Sequence, residues 1–397
     1  MNTPPSQTPI NSASYPTQFQ QVILEKSQNF IGRKFIFTAI SEFLHRHKRG
    51  YFTIVGVPGS GKSAILAKYA TENSNVVYYN AQVEGKNRAE KFLRNICIQL
   101  IHYYPDVGAQ QCCAPTDVDV LPDNATEGSW FLSLLLQKIS DTRSVKPPAY
   151  RLEPNQRLII AIDALDAIDR NSQPTGTNLF YLPRYLPDGV YFILTRRPFK
   201  REKSGLLIEA PSQILDLSEY PEQNREDVQA YIREYLTPLT PFPSSEGGKD
   251  DNSPPLVGEG LGERSKLIAR LTTESENNFM YLHHILNAIA EGFYSAPYQF
   301  DRIPPGLEAY YQQHWQKIKG EGLSDVALKV LRVLTAAETG GMSTKAITQI
   351  IDEDEYDVAE ILENWLEFLQ QRVGKETTYS LYHPNFRLWL AKQISNS

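Results

Sequence analysis

The sequence predicts an α/β fold: a parallel sheet with helices on both faces, followed by a small helical domain and a winged helix. Three observations predict it. Short β-rich apolar runs alternate with amphipathic helical stretches through the first half of the chain, and a glycine-rich loop joins one such run to a helix. The C-terminal part reads as three helices, a short strand and a final helix. At 397 residues the chain exceeds the usual single-domain size, so two or three domains are expected.

In chain order, residues 1–28 are rich in Pro, Ser, Thr and Gln and read as a mobile arm with a short helix near "FQQVILEKSQ". Residues 29–218 form the α/β domain, with strands at "YFTIVG", "NVVYYNA", "RLIIAID", "VYFILTR" and "SQILDLS" and helices around 88–102, 128–139 and 178–185. A helical domain over 219–320 carries "REDVQAYIREYL", "NNFMYLHHILNAIAEG" and "IPPGLEAYYQQHWQKI", interrupted by a Pro-, Gly- and Ser-rich flexible insertion at 237–265. Residues 321–397 read as the winged helix.

Composition excludes several functions. A net charge of −6 gives no general attraction to nucleic acid or to anionic membranes. There is no apolar run of 18 or more residues and no charged-then-apolar start, so a cytoplasmic protein without a membrane partner is expected. The three cysteines, Cys97, Cys112 and Cys113, suit neither a disulfide framework nor a zinc site.

The glycine-rich loop is "IVGVPGSGKSAIL", residues 54–66, in which Gly56, four residues, then Gly61, Lys62 and Ser63 make the Walker A spacing of a P-loop NTPase. Gly56, Gly59 and Gly61 let backbone N–H groups turn onto phosphate oxygens, and the positive end of the following helix adds to the attraction. Gly56, Pro58, Gly59, Ser60, Gly61, Lys62, Ser63 and Ala64 are therefore the candidate nucleotide contacts. Lys62 is expected to reach the β- and γ-phosphates, and Ser63 to ligate Mg²⁺. The strand "RLIIAID" ends in Asp163 at the Walker B position, a second Mg²⁺ ligand at the carboxyl edge of the sheet. Asp166, three residues on, is placed to orient or deprotonate water, with Asp169 a substitute or merely a turn residue.

Together these stretches resemble a STAND-class P-loop ATPase of the NACHT type, a family of signal-transduction switches. "FIGRKFIFTAISEFL" is similar to the segment that packs near the adenine, which implies nucleotide contacts from Gly32 and Arg33. "NRAEKFLRNICIQL" resembles the helix after the second strand, and "IDALD" the extended Walker B. "LPDGVYFILTRRP" resembles the strand that ends in the sensor 1 arginine, which implies a catalytic role for Arg197. The histidine of "LYHPNFRLWL", His383, matches one that in the family reaches the β-phosphate of ADP and holds a closed form; capping its own helix is the plainer alternative. The resemblance also implies an effector domain and sensor repeats; neither is read here, so both are expected on a partner protein.

Function follows by elimination among carriers of this loop. No Asn-Lys-x-Asp announces guanine, and no acceptor pocket announces a kinase. An origin-recognition-like ATPase acting on DNA would need basic side chains on its docking helix, yet residues 346–371 contain no Lys or Arg and eight acids. An acidic residue commonly follows the second Walker B aspartate in the family, and here that place is Ala167, which points to slow hydrolysis. The expectation is an ATP/ADP-dependent switch that self-associates in the ATP state; the alternative is a nucleotide-binding scaffold that does not cycle.

Overall fold

Five runs of β-branched and aromatic residues become one sheet in a computed structural model that describes residues 15–73, 76–109, 121–145, 157–199, 205–236, 259–290, 303–320, 322–337, 341–365, 369–373, 376–381 and 384–395. The chain divides into two compact units, Met1–Glu234 and Tyr235–Ser397.

In the first unit the described order is α1 (Thr17–Ser27), α2 (Lys34–Arg46), β1 (Gly50–Val55), α3 (Lys62–Glu72), β2 (Val76–Asn80), α4 (Ala89–Tyr103), α5 (Pro105–Ala109), α6 (Trp130–Val145), β3 (Leu158–Asp163), β4 (Val190–Arg196), β5 (Ser212–Asp216) and α7 (Pro221–Leu236), whose last two residues belong to the second unit. The sheet order is β2-β3-β4-β1-β5 and every pairing is parallel. β1 to β4 are buried along their whole length, as continuous apolar runs require when helices cover both faces, whereas the edge strand β5 is mostly open. The register pairs Asn80 with Asp163, Ile54 with Thr195 and Val55 with Arg196, so these strand ends lie along one carboxyl edge.

Two expectations change here. Residues 15–27, read from composition as a mobile arm, are packed: Phe19 and Ile23 of α1 are buried, Phe19 lies edge-on to Tyr78 and Tyr79 at 5.9 and 5.3 Å, and the Tyr15 hydroxyl donates to the Val76 carbonyl at 2.7 Å. Burying two aromatic side chains outweighs a polar average composition. The helix expected at 178–185 is only a 3-10 turn over Leu179–Tyr181, with left-handed φ of 55° and 52° at Phe180 and Tyr181. Asn178 holds that turn through the carbonyls of Leu182 and Leu207, and Phe180 inserts against Phe92 at 4.7 Å. Core packing of one aromatic ring overrides helical periodicity.

The second unit contains α8 (Glu259–Glu274), α9 (Phe279–Ala290), α10 (Gly306–Lys319), α11 (Asp325–Ala336), β6 (Met342–Ser343), α12 (Thr344–Ile351), α13 (Glu355–Asn364), β7 (Leu369–Val373), β8 (Thr377–Leu381) and α14 (Pro384–Ser395). From α11 onward it has the elements of a winged helix: the four helices α11 to α14 and an antiparallel sheet of order β6-β8-β7. Local chemistry starts its helices, since Ser324, Ser343 and Asp354 accept the amides of Ala327, Ala346 and Tyr356. The insertion expected at 237–265 lies outside the described residues as far as 258, and α8 begins at Glu259. No helix among the described residues is long and apolar enough to cross a membrane.

Candidate functional site

The glycines between β1 and α3 take the shapes the motif demands. Gly59 and Gly61 have φ of 81° and 88°, a region that penalises any Cβ. A Cβ on Gly56 would lie 2.6 Å from Ser60 Oγ and 2.8 Å from Leu217 Cδ1, so the loop closes only around glycine there. α3 starts at Lys62, and its first regular bond runs from the Ile65 amide to the Gly61 carbonyl at 3.0 Å. The amides of Lys62, Ser63 and Ala64 are thus the helix-start donors that have no acceptor within a helix. Val57 and Pro58 form the open crest of the loop.

Lys62 curls back over this crest. Its Nζ donates to the carbonyls of Gly56 at 2.6 Å and Val57 at 2.9 Å, and approaches Ser60 Oγ at 3.4 Å. Burial pushes its pKa down to about 8, against the pull of Asp166 and Asp163. The oxygens this ammonium donates to are neutral, and the charges of Asp166 and Asp163 act on it as well.

Asp163 is 1% exposed. Asn80 Nδ2 donates to its Oδ2 at 2.9 Å, and the Thr195 hydroxyl donates to its Oδ1. The Ser63 side chain lies near enough to it to lower its pKa. Burial raises that pKa, and the bond from Thr195, the Ser63 side chain and the charge of Lys62 oppose the rise. Thr195 Oγ1 in turn accepts the amide of Ala164, which has a left-handed φ of 56°, so the turn leaving β3 is locked to β4. The Walker A and Walker B strands are not neighbours: β4 lies between β1 and β3, and Ser63 and Asp163 still meet.

Asp166 and Arg197, singled out separately in the sequence, are joined. The Arg197 amide donates to Asp166 Oδ1 at 2.9 Å, and Arg197 Nε lies 3.2 Å from Oδ2. The neighbouring Arg196 is 2% exposed, stacks 3.6 Å over the Phe199 ring, and has its pKa pushed down to about 10 by burial. Asp169 accepts the amide of Asn171 at 3.0 Å and caps a 3-10 turn, which is the turn role.

Arg33 reaches the loop at Ser60, and Gly32 packs against Asp227. Arg33 Nη2 donates to the Ser60 carbonyl at 2.6 Å and Nη1 to Asn224 Oδ1, while its backbone amide donates to Asp227 Oδ2 at 3.0 Å. Its guanidinium is thus directed at protein groups. His383 lies outside the described residues. Sequence reading passed over Asn80, Asn224 and Asp227 and used Thr195 only to set a register. A signal existed for Asn80, a polar residue closing the apolar run "VVYYN" at the edge where Asp163 closes another. Nothing local marked the two residues on α7.

No protein-family model matches the chain, and no curated protein matches it. Among solved structures, the chain is similar to Thermotoga maritima RuvB, titled a Holliday junction branch migration motor, at 13% identity and a TM-score of 0.33, covering 93% of this chain and 98% of that one. It is also similar to a structure titled Drosophila ORC bound to DNA, at 12% identity and a TM-score of 0.36, covering 95% and 99%. Likeness at that level carries no functional argument.

Proposed function

We propose that the chain is an ATP- and ADP-dependent switch of the STAND class, NACHT type, which binds nucleotide with Mg²⁺ and hydrolyses ATP slowly. The observation that carries this reading is the meeting of Lys62, Ser63 and Asp163 beside a loop of the phosphate-binding shape. Lys62 would exchange the carbonyls of Gly56 and Val57 for phosphate oxygens, and the amides of the loop and of the first turn of α3 would orient those oxygens. Ser63 and Asp163 offer a hydroxyl and a buried carboxylate, hard oxygen donors that fit Mg²⁺. When bound, the cation would neutralise charge developing on the phosphates. Asn80 and Thr195 would hold Asp163 in place meanwhile.

Slow turnover follows from Asp166. Its carboxylate is engaged by the amide and guanidinium of Arg197, so it orients water only once Arg197 lets go, and Ala167 supplies no second carboxylate. Slow hydrolysis suits a switch, in which ADP and ATP favour different arrangements and the ATP form self-associates, with an effector or sensor on a partner protein. Reversing a 1:99 equilibrium to 99:1 takes about 5.5 kcal/mol of differential binding, a scale open to the charge of a γ-phosphate and its cation. The same Asp166–Arg197 pair favours a second reading, a scaffold that holds nucleotide without cycling. A DNA-directed role is opposed by α12 and α13, where no Lys or Arg follows Lys345 before Arg372.

Native mass spectrometry of the purified chain tests this reading. Co-purified ADP on monomers, and larger species after exchange into ATP with Mg²⁺, are expected. Protein free of nucleotide that gives no heat on titration with either nucleotide and Mg²⁺ would remove it.

A further inference from the structure

We infer that Arg33 is a positioning residue that acts through the phosphate loop and ties that loop to α7; the inference rests on the nucleotide-site reading above. Arg33 is 2% exposed, and its guanidinium donates to the Ser60 carbonyl at 2.6 Å. In a trans peptide the C=O of Ser60 and the N–H of Gly61 point in opposite directions, so fixing one fixes the other. Gly61 N–H is one of the loop amides offered to phosphate, which gives Arg33 a route to the ligand without touching it.

The rest of the guanidinium reaches α7. Nη1 donates to Asn224 Oδ1, Nε lies 3.8 Å from Asp227 Oδ2, and Asn224 Nδ2 donates to the Leu217 carbonyl at 2.5 Å. Leu217 is also the side chain that a Cβ on Gly56 would strike, so the network returns to the start of the loop. The backbone is shaped to the same end. A Cβ on Gly32 would lie 2.1 Å from Asp227 Oδ1, and Arg33 itself holds a left-handed φ of 63°, unfavourable for a side chain. The bond from its amide to Asp227 at 3.0 Å holds that conformation, and Phe35 stacks on Tyr220 at 5.0 Å beside it. A buried cation is retained where it joins three segments that would otherwise move independently: the turn into α2, the phosphate loop and α7. A displacement of α7 would therefore turn the Ser60–Gly61 peptide and change phosphate affinity.

The test compares ADP with inorganic tripolyphosphate on the full chain, titrated calorimetrically at a temperature below every variant's melting point. Arg33→Met is expected to weaken both ligands alike by at least about tenfold, the order of one charge-assisted hydrogen bond. Arg33→Lys, which keeps charge but not the fork, should recover only part of that loss. Asn224→Leu should weaken both ligands in the same ratio, and it decides the matter if Arg33→Met does not fold. Weakened ADP with unchanged tripolyphosphate would make Arg33 a base contact and overturn the inference. So would a lower melting temperature with both affinities unchanged. If the parent binds neither ligand, the nucleotide-site reading itself has failed, and the inference falls with it.

Discussion

The carboxyl edge of the sheet and the winged helix are both rich in charge, and they handle it in opposite ways. At the sheet edge Arg33, Asp163 and Arg196 are almost wholly buried, and each has its pKa shifted by burial: the arginines down, the carboxyl up. On α13 and the turn that leads into it the acids at 352–355, 357, 360 and 363 lie at or near the surface, and Tyr356 is 76% exposed beside them. Charge taken out of water costs several kcal/mol unless it is paired, so Arg33 and Asp163 are hydrogen-bonded to named neighbours and Arg196 stacks on the Phe199 ring. Charge left in water needs no partner, although Asp354 among these acids caps α13. The comparison teaches that density of charged residues says little. Burial with directed bonds separates a site from a solvated face.

Four measurements press on that contrast, in falling order of expected effect. Lys62→Ala removes the ammonium facing the phosphates and should lower ATP affinity by more than about a hundredfold, the scale of two charge-assisted hydrogen bonds; unchanged affinity by calorimetry would end the phosphate-loop reading. Asp163→Asn and Asp166→Asn should leave ATP bound while slowing its hydrolysis, by about tenfold or more in each case. Single-turnover assays read this directly, and parental rates in both variants would count the carboxylates out.

The third concerns pH. Burial holds Lys62 near 8 in the free protein, below its ordinary value of 10.5. Folding is therefore disfavoured by this group below pH 8, and the disadvantage is relieved as pH rises from about 8 towards 10.5. A polyphosphate opposite the ammonium raises its pKa, so binding takes up a proton above about pH 8. Affinity should fall as pH climbs past that point, by up to about tenfold per unit. Titration in two buffers of different ionisation enthalpy would show the proton uptake, and its absence would separate Lys62 from the phosphates. The smallest effect belongs to the winged helix. Lys329 pairs with Glu353 at its surface, and Glu353→Gln should leave the melting temperature and nucleotide affinity unchanged in physiological salt. A clear drop in either would mean that the exposed acids are tied into structure after all.

What the sequence determined by itself is what near neighbours decide. "VYFILTR" is β4 residue for residue, Gly59 and Gly61 are left-handed where the loop spacing requires it, and Asp163 closes β3 as a buried acid. Each depends on side-chain periodicity or on backbone freedom within a few residues, which a sequence displays directly. Tertiary structure decided the rest. It put β4 between the two nucleotide strands, made Phe180 a core ring instead of a helical residue, and bound Arg33 to Asp227 across 194 positions. These outcomes depend on which chain segments meet after closure of long loops, and the closure cost changes slowly with loop length, so spacing along the chain discriminates weakly among partners. The choice falls to burial and complementary hydrogen bonding in the assembled core, where a polar group such as Asn80, Thr195 or Asn224 acquires its role from what it faces.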